Sequence, residues 1–136
     1  MKMKEFLGKI VDLTERSQPN ADKKSNAVLL HIQGRIYAIR NFALDPFNDT
    51  YNIILVPNAG ITFNKSKFTT VDHVYYLNAR KSLLIGMDNP IKLVLVDGNE
   101  DNFIPIGTID LKEQTLTEVR PLGTGTLDTN MLYYFK

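Results

Sequence analysis

Residues 27–40, AVLLHIQGRIYAIR, decide the reading of this chain. Two runs of alternating side chains meet at Gln33-Gly34, a two-residue connection of the kind that joins adjacent antiparallel strands, because glycine accepts the positive φ such turns require. A tight turn there sets Ile32 opposite Arg35, Leu30 opposite Tyr37 and Val28 opposite Ile39 on one face. Leu29, His31, Ile36, Ala38 and Arg40 share the other. Both faces are then largely apolar. A hairpin with one wet face alternates apolar with polar, so this pair belongs inside a sandwich or barrel, or beneath a helix.

Working toward the N-terminus, residues 17–26, SQPNADKKSN, hold no large apolar side chain and read as a linker, long enough to span about 33 Å when extended. Residues 1–16 before it form the N-terminal helix. At 100° per residue Met3, Phe6, Leu7, Ile10, Val11 and Leu13 fall within an arc of about 160°, with Lys2, Glu5, Lys9, Asp12, Glu15 and Arg16 opposite. A helix this short is marginal alone in water, so its apolar stripe must rest on a surface, either its own β body or another subunit that the linker lets it reach.

Toward the C-terminus the chain is punctuated by turn residues at intervals of about ten. Strands are expected at 51–56 (YNIILV), 60–63, 68–78, where Val71, His73, Tyr75 and Leu77 alternate with Asp72, Val74, Tyr76 and Asn78, then at 82–87 (SLLIGM), 91–96, 103–111 and 115–120. The apolar run Met131–Phe135 is expected in a sheet or in a partner's groove. Residues 27–136 thus read as one mainly β domain with an apolar C-terminal strand or arm. The architecture expected is a β-sandwich, jelly-roll-like, or a small barrel of about eight or nine short antiparallel strands.

Bulk properties narrow the class. With 43% hydrophobic and 23% charged residues, the composition is that of a globular protein, and no apolar run approaches the roughly 18 residues a membrane span needs. Glu5, Lys9 and Asp12 interrupt the start where a signal peptide needs an uncharged stretch, so the expected place of synthesis is the cytoplasm, with the virion as destination if the chain is phage-derived. No cysteine is present, which removes disulfides, thiol catalysis and cysteine-bound zinc. Net charge is +1, far below the concentrated basic excess of a nucleic-acid binder. Twelve asparagines, with abundant Lys, Ile, Tyr and Phe, fit an AT-rich genome such as that of a low-GC bacterium or its phage.

Chemistry-bearing residues are sparse. His31 and His73 each sit among apolar neighbours, and Asp72 points away from His73 on an extended strand, so no metal site is expected. The loop Asp97-Gly98-Asn99-Glu100-Asp101-Asn102 is oxygen-rich but lacks the calcium-loop order and reads as a solvated turn. PLGTGTL (121–127) lacks the third glycine and the following helix of a dinucleotide fingerprint. No cofactor and no catalytic group are expected. The surplus is apolar: Phe6, Leu7, Ile10 and Val11 on the helix, Phe42 and Phe47 in the loop NFALDPFNDT, and Tyr133, Tyr134 and Phe135 at the end are the partner-binding candidates, since buried aromatic anchors dominate interface energetics. The expected function is therefore non-enzymatic, a subunit of a larger protein assembly such as an auxiliary capsid, connector or tail protein of a phage virion, contacting other protein subunits and no membrane. The alternative is a monomeric barrel that binds single-stranded nucleic acid or a small ligand through Arg35, Tyr37 and Arg40, or through Tyr75, Tyr76 and Arg80.

Overall fold

The computed structural model describes residues 1–17, 26–57, 67–97, 104–121 and 131–136. Its elements are α1 (Met3–Ser17), β1 (Val28–Ile32), β2 (Arg35–Asp45), β3 (Thr50–Pro57), α2 (Val71–Ala79), β4 (Ile91–Val96), β5 (Pro105–Ile109), β6 (Leu116–Pro121) and β7 (Met131–Phe135). All seven strands join one sheet in the order β5-β4-β3-β2-β1-β7-β6. The linker expected at 17–26, the strand at 60–63 and the acidic loop beyond Asp97 lie mostly or wholly outside the described residues.

The central hairpin forms in the register the sequence implies: Ile32 pairs with Arg35 and Leu30 with Tyr37, around Gln33 and Gly34 at φ 52° and 81°. Its two faces also separate as expected. Val28, Leu30, Ile32, Tyr37 and Ile39 enter the main core beneath the helices, whereas Leu29 and Ala38 are buried on the far side with Leu132. β2 outruns β1, and beside Ile39 and Arg40, before β1 begins at Val28, the strap 67–70 takes over. Thr69 N donates to Ile39 O at 2.8 Å, Val28 N donates to Thr69 O at 3.1 Å, and Thr69 Oγ1 donates to Arg40 O at 3.2 Å. Arg40 is skipped between paired Ile39 and Asn41, so the bulge that interrupts the β2–β3 ladder is where the strap docks.

The mainly β body and the N-terminal helix stand as expected, but among the described residues the sheet is mixed and not closed, so the strands are not all antiparallel and a barrel or sandwich is not seen in them. Among the described residues β5 and β6 are its edges, and the pairs β1–β7 and β3–β4 are parallel. A parallel neighbour needs a crossover, and α2 supplies it between β3 and β4. The strand expected at 68–78 is therefore helical over 71–79. Thr70 caps it, accepting from His73 N, and Val71 and Val74, one turn apart, are buried. The strand expected at 82–87 is a run of turns, because Gly86 adopts φ +86°, outside any strand.

α1 lies on the same face as α2. Met3, Phe6, Leu7 and Ile10 are fully buried, and Phe6 stacks on Phe135 at 6.3 Å and meets Phe42 edge-on at 6.4 Å. Each such side chain contributes on the order of 1.5–3 kcal/mol by leaving water, which holds the helix to its own sheet. The C-terminal run is likewise internal: β7 sits between β1 and β6, with Tyr133 and Phe135 buried.

Candidate interaction surface

Five of the nine partner-binding candidates, Phe6, Leu7, Ile10, Tyr133 and Phe135, are thus covered by the chain itself and present nothing to a partner. Val11 and Phe42 are half-buried against the same core, and Tyr134 is half-buried on the opposite face. Phe47 alone stands out, 94% exposed. It rides on the β2–β3 turn, which is braced from within. Asp45 Oδ1 accepts from Phe47 N at 3.0 Å and Asn48 N at 3.3 Å, and Asp45 Oδ2 accepts from Asn48 Nδ2 at 2.9 Å. Those bonds, the Asn48 side chain first, hold the Asp45 carboxyl below its ordinary pKa.

Two further large apolar side chains are displayed at the same end of the sheet, Leu83 at 78% and Ile85 at 81% exposed. The segment carrying them is pinned on both sides. Met87 is buried in the core, Lys4 N donates to Met87 O at 2.9 Å, Met3 N donates to Asn89 O at 3.0 Å, and Ile91 N donates to Met1 O at 3.0 Å. Gly86 lies against β2 and β3 so closely that a Cβ there would sit 2.5 Å from Leu44 Cδ1 and 3.2 Å from Tyr51 Cδ2. Turn and segment therefore form one fixed pole on which Phe47, Leu83, Ile85 and the half-covered Leu44 face solvent. An open cleft of about 450 Å³ adjoins it, lined by Lys4, Lys81, Ser82, Leu84 and residues 86–89, with Lys4 Nζ paired to Asp88 at 2.6 Å. Sequence reasoning missed Leu83 and Ile85 because it read them as strand; the signal against that was Gly86.

The alternative sites do not assemble. Arg35 is exposed at the hairpin turn, Tyr37 is buried under the helices, and Arg40 lies over Phe68 at 5.8 Å with its guanidinium on Lys67 O. Tyr75 turns inward to bond Glu15, while Tyr76 carries Arg80 over its ring at 4.9 Å. Desolvation, followed by the Glu15 bond, drives the Tyr75 pKa up. His31 stacks on Tyr134 at 4.6 Å on the sheet face away from the helices, and His73 lies on α2 between Phe42 and Tyr76. Among the described residues no three metal-ligating side chains converge. No helix among them is long and apolar enough to cross a membrane. No family model matches the chain, and no curated protein or solved structure matches it significantly.

Proposed function

We propose that this chain is a non-enzymatic interaction protein, a subunit that docks on another protein of a larger assembly through the pole formed by Phe47, Leu83 and Ile85. One observation carries the proposal. Three large apolar side chains are held in water by a braced turn and a pinned segment, where an unneeded apolar group would be free to fold back. The contact residues expected from the sequence are replaced here by these three, with Phe47 kept. An auxiliary protein of a phage particle, made in the cytoplasm and carried into the virion, remains the setting proposed from composition. The sandwich-like or barrel architecture suggested by the strand pattern enters this proposal only as a property of the assembly, in which the edge strands find neighbours.

Native mass spectrometry of the chain recovered by gentle lysis from the cells that produce it tests the reading. The expected species is heavier than a dimer, and the triple variant Phe47→Ser, Leu83→Ser, Ile85→Ser leaves it. Recovery of only monomer or dimer, or a heavy species indifferent to the triple variant, overturns the proposal.

A further inference from the structure

The edge strand β6 carries a pattern that is complementary to itself. Its side chains on the face away from the helices are Glu118 and Arg120, which align with Tyr134 and Leu132 of β7. When a strand pairs antiparallel with a copy of itself about a twofold axis through Val119, residue 118 of one copy faces residue 120 of the other, twice over. Glutamate then meets arginine at both positions.

Two features single out that register. Thr117 is the extra residue of a bulge between paired Leu116 and Glu118, and Pro121 has no N–H to give, so the regular stretch able to pair is bounded on both sides. The ladder supplies the donors. Thr115 and Lys136 exchange reciprocal backbone bonds at 2.9 and 3.0 Å, and counting along the alternation from that pair, with Thr117 as the extra residue, turns the N–H and C=O of Val119 away from β7. The other edge has no such match. In β5, exposed Ile106 is the bulged residue and no charged side chain occurs from Pro105 to Ile109.

We infer that β6 is a homodimerisation edge, pairing antiparallel with β6 of a second copy about Val119 and extending the sheet across both. Glu118, which within one chain binds Arg120 and Lys136, then adds the partner copy's arginine to the same carboxylate. This contact does not involve the apolar pole: a chain that dimerises here and engages no other protein would leave this inference standing and overturn the previous one.

Sedimentation of the purified full chain over a concentration series at low salt is the test. A monomer–dimer equilibrium is expected. Glu118→Arg and Arg120→Glu should each weaken it roughly tenfold or more, since each sets like charges opposite at two places. The double swap should restore it, because exchanging both charges preserves the complementarity. A second measurement does not depend on those variants folding. The chain has no cysteine, so Val119→Cys carries the sole thiol, and the roughly 5.5 Å between facing Cα atoms lies within disulfide range. Mild oxidation should yield a covalent dimer from Val119→Cys and none from Thr108→Cys on β5. A wild-type chain monomeric throughout, single reversals that dimerise like wild type, a double swap that does not recover, or absence of the Val119→Cys crosslink overturns the inference.

Discussion

The hydroxyl of Thr14, on α1, is hydrogen-bonded to that of Tyr133, on β7, with both residues fully buried. Thr14 also donates to Ile10 O at 2.7 Å, so it is the tyrosine that donates to the threonine. The two deletions are therefore unequal. Thr14→Val strands a buried tyrosine hydroxyl and should cost about 1–3 kcal/mol, whereas Tyr133→Phe leaves Thr14 its bond to Ile10 and should cost about 1 kcal/mol. Urea unfolding of both variants and of the double mutant measures the order, with the double expected to lie close to Thr14→Val or above it in stability.

Alkali probes the same pair. Burial pushes the Tyr133 hydroxyl up to about 12 from its ordinary 10.0. The fold favours the neutral form, so this contribution is intact below pH 10 and is lost as pH rises toward 12, amounting by then to roughly 2 kcal/mol. Urea midpoints between pH 9 and 12 should fall more steeply for wild type than for Tyr133→Phe.

Acid should act on the neighbouring strand, β6, where Glu118 aligns with Tyr134. The Arg120 guanidinium and then the Lys136 ammonium hold the Glu118 carboxyl at about 2, below its ordinary 4.5. A depressed carboxyl stabilises the fold above 4.5 and ceases to do so as pH falls through 2. Glu118→Gln should flatten the acid limb of the stability profile in that window, and a carboxyl titration followed by NMR should place the Glu118 midpoint below those of ordinary glutamates.

Gly86 is a point of low tolerance. Its φ of +86° strains any side chain, and a new Cβ would meet Leu44 at 2.5 Å. Gly86→Ala should cost about 1–3 kcal/mol in thermal unfolding. Leu44→Ala in the same chain should relieve the clash but not the backbone strain, giving partial recovery.

The pole itself should be separable from stability. Phe47, Leu83 and Ile85 bury little of their surface, so serine at all three should change the urea midpoint by no more than about 0.5 kcal/mol per site while raising solubility.

What the sequence shows plainly are features whose period is unambiguous. The 27–40 hairpin alternates around a glycine turn, and residues 3–17 repeat every 3.6, and both stand where expected. Residues 71–79 satisfy both periods at once: Val71, His73, Tyr75 and Leu77 fit a strand, while Val71 and Val74 fit a helix turn. Thr70 as a cap was the deciding signal, and its weight becomes clear only once the parallel β3–β4 pair demands a crossover. Neither parallel pairing is legible locally, since β1 and β7 meet across about a hundred intervening residues. The same long-range pairing accounts for the displaced contact residues. Apolar side chains at both ends looked surplus because their covers lie at the far end of the chain, as with Phe6 against Phe135.

The interior position of β7 bears on how the molecule comes into being. During synthesis β1 waits without its parallel neighbour, and β6 has no strand to pair with, until residues 131–135 have left the ribosome. The first helix and the central hairpin can gather early, but closure of the core is timed by the last strand. Proteolytic loss of those five residues should accordingly be felt throughout the molecule and not as a trimmed end.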